Sequence, residues 1–295
     1  MTEVKEKEQI KDWWAKRPMT YGQLHGEPVY ETENGERIAV ELGSRQFFEQ
    51  VDKTFYSWTQ GLHTTDGHFA GLFPYERFRH KKVLEIGCGM GTMIMNWAKQ
   101  GAQVTAVDLN PVSIAQTKRR FELLGLKGDI REMDANALQF PDASFDYVYS
   151  WGVLHHSPDL PRSIAELLRV LKPNGEYGIM LYNRASIYYW YLVGYIEGFL
   201  HGESRFLNPL QLASRYTDGT EQEGNPHTWP VTKREMTALL APQSSKLHIS
   251  AMGPVELAFP PKIASYLPPR WIWAWAERWA WSLYMKGTKQ AKPMR

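Results

Sequence analysis

One stretch constrains this chain more than any other: Val83-Leu84-Glu85-Ile86-Gly87-Cys88-Gly89-Met90-Gly91-Thr92, an apolar run that breaks into alternate glycines. Val83 to Ile86 reads as a strand, the glycines at 87, 89 and 91 as a tight turn, and the residues from Thr92 as the start of a helix. Glycine has a steric role at such a junction, because without Cβ it takes positive φ and lets a ligand approach the backbone. N–H groups exposed at the head of the new helix favour a negative group. A second apolar run, Val104 to Val107, follows and ends on Asp108. An acid at the tip of the second strand suits the paired hydroxyls of a ribose.

Two adenosine-bearing cofactors answer to this pattern. A dinucleotide fingerprint spaces its glycines G-x-G-x-x-G, whereas here the spacing is Gly87-x-Gly89-x-Gly91, with Glu85 two residues ahead. A glutamate adds an unfavourable charge beside a pyrophosphate, but it receives the ammonium of an amino acid well. A ligand with adenosine at one end and an amino acid at the other is S-adenosylmethionine. Glu85 and Asp108 together favour it over a nicotinamide dinucleotide.

At 295 residues there is room for one large domain with insertions or for two smaller ones. A net charge of +2 gives no electrostatic case for a nucleic-acid partner. The single cysteine, Cys88, excludes an internal disulfide and falls inside the cofactor loop, where it reads as a small residue packed in a turn. The first residues, Met-Thr-Glu-Val-Lys-Glu-Lys-Glu, have no apolar signal core, so a cytoplasmic location is expected. No apolar run reaches the ~18 residues of a spanning helix. Two segments come near. Ser186 to Leu200 is apolar on almost every face, and Arg270 to Trp281 holds Trp271, Trp273, Trp275, Trp279 and Trp281. Such helices can lie on a bilayer. The preferred reading is a cap over the active site, because neither segment shows the basic face of an interfacial helix.

Three segments follow from the patterning. Residues 1–80 form an N-terminal helical lid or acceptor segment, with a helix over Ser44 to Thr59 capped by Ser44, then a Gly-rich loop from Gly61 to Gly71. Residues 81–183 alternate strand and helix, which implies a mostly parallel sheet covered on both faces. There a helix from Thr92 stops at Gly101 and strands are expected at Gln103–Asp108 and Asp129–Glu132. Asn110, Pro111 and Gly125 bound the helix between them. A strand at Phe145–Ser150, a helix at Leu160–Leu171 and a strand at Glu176–Tyr182 complete the core. Residues 184–295 hold cap insertions: the Tyr-rich helix, a polar stretch from Tyr216 to Pro230 containing Asp218-Gly219, and a helix over Thr232–Leu240. Two more strands, Lys246–Met252 and Trp281–Gly287, precede a frayed tail, Lys289–Arg295.

On these residues the chain resembles the class I S-adenosylmethionine-dependent methyltransferases, in the small-molecule branch often called methyltransferase type 11. The likeness covers about residues 81–183. Its motifs are Val83 to Gly91, Val107-Asp-Leu-Asn-Pro, Met133-Asp-Ala, Phe140-Pro-Asp-Ala-Ser-Phe-Asp, Ser150-Trp-Gly-Val-Leu-His-His and Arg169-Val-Leu-Lys-Pro-Asn-Gly. The resemblance implies an α/β, Rossmann-like, seven-stranded sheet whose last two strands form an antiparallel pair, with the Trp-rich segment inserted between them. It implies that Glu85, Gly87, Gly89 and Gly91, with Cys88 in the same loop, hold the methionine portion. Asp108 would take the ribose, Leu109 the adenine ring, Asp134 and Ala135 the adenine edge, and Ser150 and Trp151 would close over the cofactor.

Methyl transfer from a sulfonium is an in-line displacement in which the cofactor brings the activated group. The protein aligns the acceptor and excludes water, and orientation alone accounts for ~7–11 kcal/mol of the barrier. A hydroxyl, thiol or ammonium acceptor also needs a base, and histidine suits neutral pH. His155 and His156 follow the fourth strand at the edge where open sheets place ligands. Tyr21, His63, His68, Tyr182 and His227 are further acceptor-site candidates. No metal site is expected, since His155-His156 lacks ligand spacing and a neighbouring carboxylate. The expected partner is a small-molecule methyl acceptor. A lipid or quinone acceptor at a membrane surface and a non-catalytic cofactor-binding protein are the alternatives. The acceptor and the oligomeric state stay open.

Overall fold

Short apolar runs closed by turn residues become strands, and capped amphipathic runs become helices, in the computed structural model of this chain. It describes residues 3–22, 26–32, 34–218, 224–253, 266 and 268–291. Gly219, the Trp273 side chain and the tail at 292–295 lie outside the described residues. Strands β1 (Val29–Glu31) and β2 (Arg37–Ala39) form an antiparallel hairpin. The remaining strands are β3 (Lys82–Ile86), β4 (Gln103–Asp108), β5 (Asp129–Glu132), β6 (Phe145–Trp151), β7 (Leu171–Tyr182), β8 (Ser244–Met252) and β9 (Ser282–Lys289). They make one seven-stranded sheet in the order β5-β4-β3-β6-β7-β9-β8. β3 runs parallel to β4 and β6, β4 parallel to β5, and β9 antiparallel between β7 and β8. This is the Rossmann-like sheet that the resemblance implied, antiparallel pair included.

The chain divides into two compact units. One comprises Glu8–Tyr149 with Arg169–Lys172; the other comprises Met1–Lys7, Ser150–Leu168 and Pro173–Arg295. Helix α1 (Glu3–Lys16) opens the chain. In the first unit α2 (Arg45–Trp58) starts where the Phe47 amide donates to Ser44 Oγ at 3.1 Å, the expected cap. It buries Phe47, Phe48, Val51 and Phe55. Each such side chain contributes ~1.5–3 kcal/mol on leaving water, which anchors the helix. Helix α3 (Ile94–Lys99) begins two residues beyond Thr92, because Thr92 and Met93 are spent on the turn out of Gly91. Helix α4 (Pro111–Leu124) follows the expectation: the Val112 amide donates to Asn110 Oδ1, Pro111 leads, and Gly125 closes it in the left-handed region at φ 63°. α3 and α4 lie against β4, and α4 also against β5.

Helix α5 (Leu160–Val170) passes directly into β7, which therefore starts at Leu171 rather than Glu176; its pairing with β9 begins at Glu176. In the second unit the Tyr-rich run forms a π-helix over Tyr189–Leu200. It is apolar on almost every face, Glu197 apart, yet only Val193 and Gly198 are buried, while Trp190 and Phe199 are 75% and 73% exposed. Gly198 sits so close to its neighbours that a Cβ there would lie 2.6 Å from Ser204 Oγ. Helices α6 (Pro209–Tyr216), α7 (Lys233–Leu240) and α8 (Pro269–Trp279) complete the unit, α8 lying in the chain between β8 and β9 as expected of an insertion. Among the described residues no helix is long and apolar enough to cross a membrane.

Candidate active site

β3 and β4 run in register, Glu85 opposite Ala106 and Ile86 opposite Val107, so their carboxyl ends open side by side. The turn after Ile86 folds back: the amides of Gly87 and Cys88 both donate to the Val107 carbonyl, at 2.7 and 3.2 Å. Gly87, Gly89 and Gly91 take φ of 82°, 50° and 72°, the left-handed region that disfavours side chains. The last two glycines serve different ends. A Cβ at Gly89 would meet nothing within 4 Å, which leaves that backbone open to a ligand; a Cβ at Gly91 would lie 3.0 Å from Thr117 of α4. Thr117 in turn donates its hydroxyl to the Gly89 carbonyl at 2.9 Å. Cys88 is buried with its sulfur 3.6 Å from Thr117 Oγ1, and burial pushes its thiol well up, as befits a packed rather than a reactive cysteine.

Two acids flank this turn. Glu85 is 2% exposed, and its Oε2 has no hydrogen-bond partner. Burial pushes its carboxyl well above the usual range; the Tyr149 hydroxyl opposes that rise and the Asp108 charge reinforces it. A buried acceptor left unanswered costs about 1–3 kcal/mol, so a cationic ligand group has something to gain here. Asp108 is half-buried and oriented by the backbone, accepting the Gly89 amide on Oδ2 and the Asn110 amide on Oδ1, both at 2.9 Å. Burial raises its pKa against these amides. Each of its oxygens keeps a further lone pair for a sugar hydroxyl. The Asp108 carbonyl accepts the Met133 amide at 2.9 Å, which brings the end of β5 beside β4, and Asp134 accepts the Asn136 amide at 2.8 Å. Leu109 and Ala135 are half-buried. An unanswered buried acid, an open glycine and an oriented second acid fit S-adenosylmethionine.

In the second unit β6 ends on Ser150, which is buried, and Trp151, whose ring centroid lies 6.1 Å from that of Tyr284. A single turn, Leu154–His156, then carries the histidine pair. His155 is fully buried, neither ring nitrogen has a hydrogen-bond partner, and its ring lies 4.0 Å from that of Tyr182. Burial, with His156 and His227 nearby, holds its pKa well below the usual value, so it is neutral at pH 7. His156 is held at both ends. Its Nδ1 lies 2.9 Å from the His227 carbonyl and 3.0 Å from Thr228 Oγ1, and its Nε2 lies 3.1 Å from Asp218 Oδ2. Tyr182 donates to the other Asp218 oxygen at 2.6 Å. His227 Nδ1 lies 2.9 Å from Glu6; burial lowers its pKa against the pull of that carboxylate.

His155, His156, Tyr182 and His227 therefore gather in one place and recruit Asp218, which sequence reasoning met only as a turn residue in a polar stretch. No spacing rule reaches it, because it comes from a different loop. Tyr21, His63 and His68 gather instead around α2. His63 uses both nitrogens to hold its loop: Nδ1 accepts the Phe69 amide at 3.0 Å, and Nε2 lies 3.2 Å from the Tyr56 carbonyl. His68 is exposed and stacks on Tyr56 at 3.6 Å, while Tyr21 packs on Phe55 and Trp58.

A family model described as a methyltransferase domain matches residues 83–175. A sterol 24-C-methyltransferase from Gibberella zeae is 29% identical over 49% of this chain and 43% of its own length. A ubiquinone biosynthesis O-methyltransferase from Idiomarina loihiensis is 32% identical over 54% of this chain and 65% of its own. The chain thus spans less than two thirds of the length of these curated relatives. Among solved structures, a SAM-dependent methyltransferase from Methanosarcina mazei shares the fold with a TM-score of 0.54 and 20% identity. That likeness covers 75% of this chain and 99% of the other.

Proposed function

We propose that this chain, whose residues 83–175 belong to the class I S-adenosylmethionine-dependent methyltransferases, is an enzyme that passes the cofactor's methyl group to a small-molecule acceptor by in-line displacement. The observation that carries the reading is Glu85. A buried carboxyl with one unanswered oxygen, beside a glycine open to a ligand, suits the cofactor's ammonium and not a pyrophosphate. In this reading Glu85, Gly87, Cys88, Gly89 and Gly91 cradle the methionine portion and Asp108 grips the ribose. Leu109, Asp134 and Ala135 frame the adenine, and Ser150 and Trp151 complete the set. When bound, the cofactor supplies an activated methyl group on sulfur. The residues around it bind, orient and exclude water.

His155 is the proposed base. It is neutral, and its lone pair is not committed to a hydrogen bond, whereas His156 is fixed by Asp218 and the His227 carbonyl. Tyr182 and His227 line the same cluster, and Tyr21, His63 and His68 stand as further acceptor candidates. The test is transfer of a labelled methyl group from S-adenosylmethionine into fractionated cell extract, with mass identification of the product. Cofactor binding without any labelled product would leave a binding protein instead of an enzyme.

A second reading takes the acceptor to be a lipid or quinone met at a membrane surface. Trp190 and Phe199 of the π-helix stand 75% and 73% exposed, and Phe206 beyond its end 85%, more apolar surface than a water-facing segment needs. The relatives named for sterol and ubiquinone chemistry point the same way. Sedimentation with liposomes separates the readings, since absence of binding removes this one.

A further inference from the structure

The histidine cluster of the second unit has a feature that proton transfer does not account for. One ligand atom each from His155, His156 and Asp218 lies within 4.8 Å of the other two. Two imidazoles and a carboxylate are the donor set that zinc and neighbouring first-row divalent ions take from proteins. The separation of His156 Nε2 from Asp218 Oδ2 is 3.1 Å. Two ligands on one tetrahedral zinc ion stand roughly 3.3 Å apart for bonds of the usual length.

The groups behind these atoms are arranged as metal ligands require. A ligating histidine turns its other nitrogen to a backbone carbonyl or carboxylate, which fixes tautomer and ring orientation, and a ligating carboxylate is itself hydrogen-bonded. His156 Nδ1 faces the His227 carbonyl at 2.9 Å. The Asp218 oxygen that does not face His156 accepts the Tyr182 hydroxyl at 2.6 Å. The third donor supplies the independent observation: His155 is fully buried, and both its ring nitrogens lack a hydrogen-bond partner. Native interiors rarely leave such atoms unanswered.

We infer that His155, His156 and Asp218 form a binding site for a divalent transition cation of the zinc type, with the His227 carbonyl and the Tyr182 hydroxyl orienting two of the three ligands. The site goes beyond methyl transfer and does not depend on it. A cation and a proton would compete for the His155 lone pair, so metal loading and base action by that residue exclude each other.

The full chain, freed of metal by chelator and dialysis, is titrated with Zn2+ alone by calorimetry, and its thermal unfolding is followed with and without the ion. One zinc per chain and a zinc-dependent rise in Tm are expected, because a ligand that binds only the folded state stabilises it. Asp218→Asn and His155→Ala should each weaken zinc at least tenfold. Tyr182→Phe removes only an orienting hydrogen bond; it should cost zinc affinity about tenfold, and the Tm of its metal-free form, measured alongside, separates that loss from the stability the hydrogen bond itself supplies. That variant keeps the test sound should a core histidine prove indispensable for folding. Absence of saturable zinc uptake by the unaltered protein, or uptake that all three substitutions leave unchanged, would overturn the site. Neither donor nor acceptor is present, so failure of a methyl-transfer assay leaves this result standing.

Discussion

The carboxylate of Asp108 accepts the amide of Gly89 at 2.9 Å, tying the acid at the end of β4 to the glycine turn that follows β3. Ribose grip and loop shape thus depend on one side chain. Asp108→Asn keeps the volume, but its amide nitrogen would face a backbone donor, either Gly89 or Asn110. Hydrogen bonds to a charged group are worth about 1.5–3 kcal/mol, so S-adenosylmethionine affinity should fall about 10- to 100-fold. Calorimetry checks this, and unaltered affinity would remove Asp108 from the cofactor site.

Glu85→Gln should separate stability from function. The folded-state pKa of Glu85 is raised by burial, so the folded chain holds that proton more tightly than the unfolded one. Its contribution to stability is complete below the unfolded value, about 4.3, and is lost as pH rises towards the folded pKa. Glutamine does not titrate. The unaltered protein should therefore lose Tm relative to Glu85→Gln as pH climbs from the ordinary carboxylate range. Cofactor binding runs the other way. An incoming ammonium favours the ionised carboxyl, so binding releases a proton and affinity should strengthen with rising pH in the unaltered protein only. Parallel pH profiles of the two proteins would show that Glu85 does not meet the ammonium.

The nucleotide-binding half of the fold was legible because its signals are local. Asn110, Pro111 and Gly125 mark their helix by backbone chemistry alone, and β4 and β5 fall on the expected residues. The hairpin of β1 and β2 also had a local signal, Asn34-Gly35 with Gly35 at φ 78°, which apolar periodicity passes over in strands this short. Helix α6 had one as well: the Gln211 amide donates to Asn208 Oδ1, and the Gln211 side chain accepts the Asn208 amide. Asp218 could not be read this way. Its meeting with His156 is a product of tertiary structure, and an acid in a polar stretch looks the same whether it faces water or an imidazole. The exposure of Trp190 and Phe199 was equally hidden, because a run apolar on almost every side does not say which side is covered.

Arg120 is 1% exposed, donates to Asp52 at 2.7 Å and lies 4.5 Å from the Phe48 ring centroid. The pair joins α2 to α4. Removing one partner strands a buried charge, at a cost of about 3–5 kcal/mol. Asp52→Ala should fall at the lower end of that range, since the Asp52 side chain is 25% exposed. Pairing it with Arg120→Met should recover part of the loss, because the stranded charge goes with it. Denaturant unfolding of the three variants checks the order, and a double variant weaker than Asp52→Ala would show that Arg120 serves through packing alone.

His155→Ala tests the proton-transfer step. A positioned base contributes about 10²–10⁴-fold, and turnover should drop by that factor while S-adenosylmethionine affinity holds, since His155 is not among the cofactor residues. The pH profile adds a second readout. A base works deprotonated, and burial holds the pKa of His155 well below the ordinary histidine value of about 6.5. Turnover should therefore stay level as pH falls through 6.5 and decline only below it, whereas an unshifted histidine would lose half its activity there. His156→Ala probes positioning instead. It removes the ring that Asp218 fixes beside His155 and one of the groups that hold the His155 pKa down, so it should lower kcat and move the low-pH limb upward without abolishing it. Full turnover in His155→Ala would mean that the acceptor arrives already ionised or needs no base.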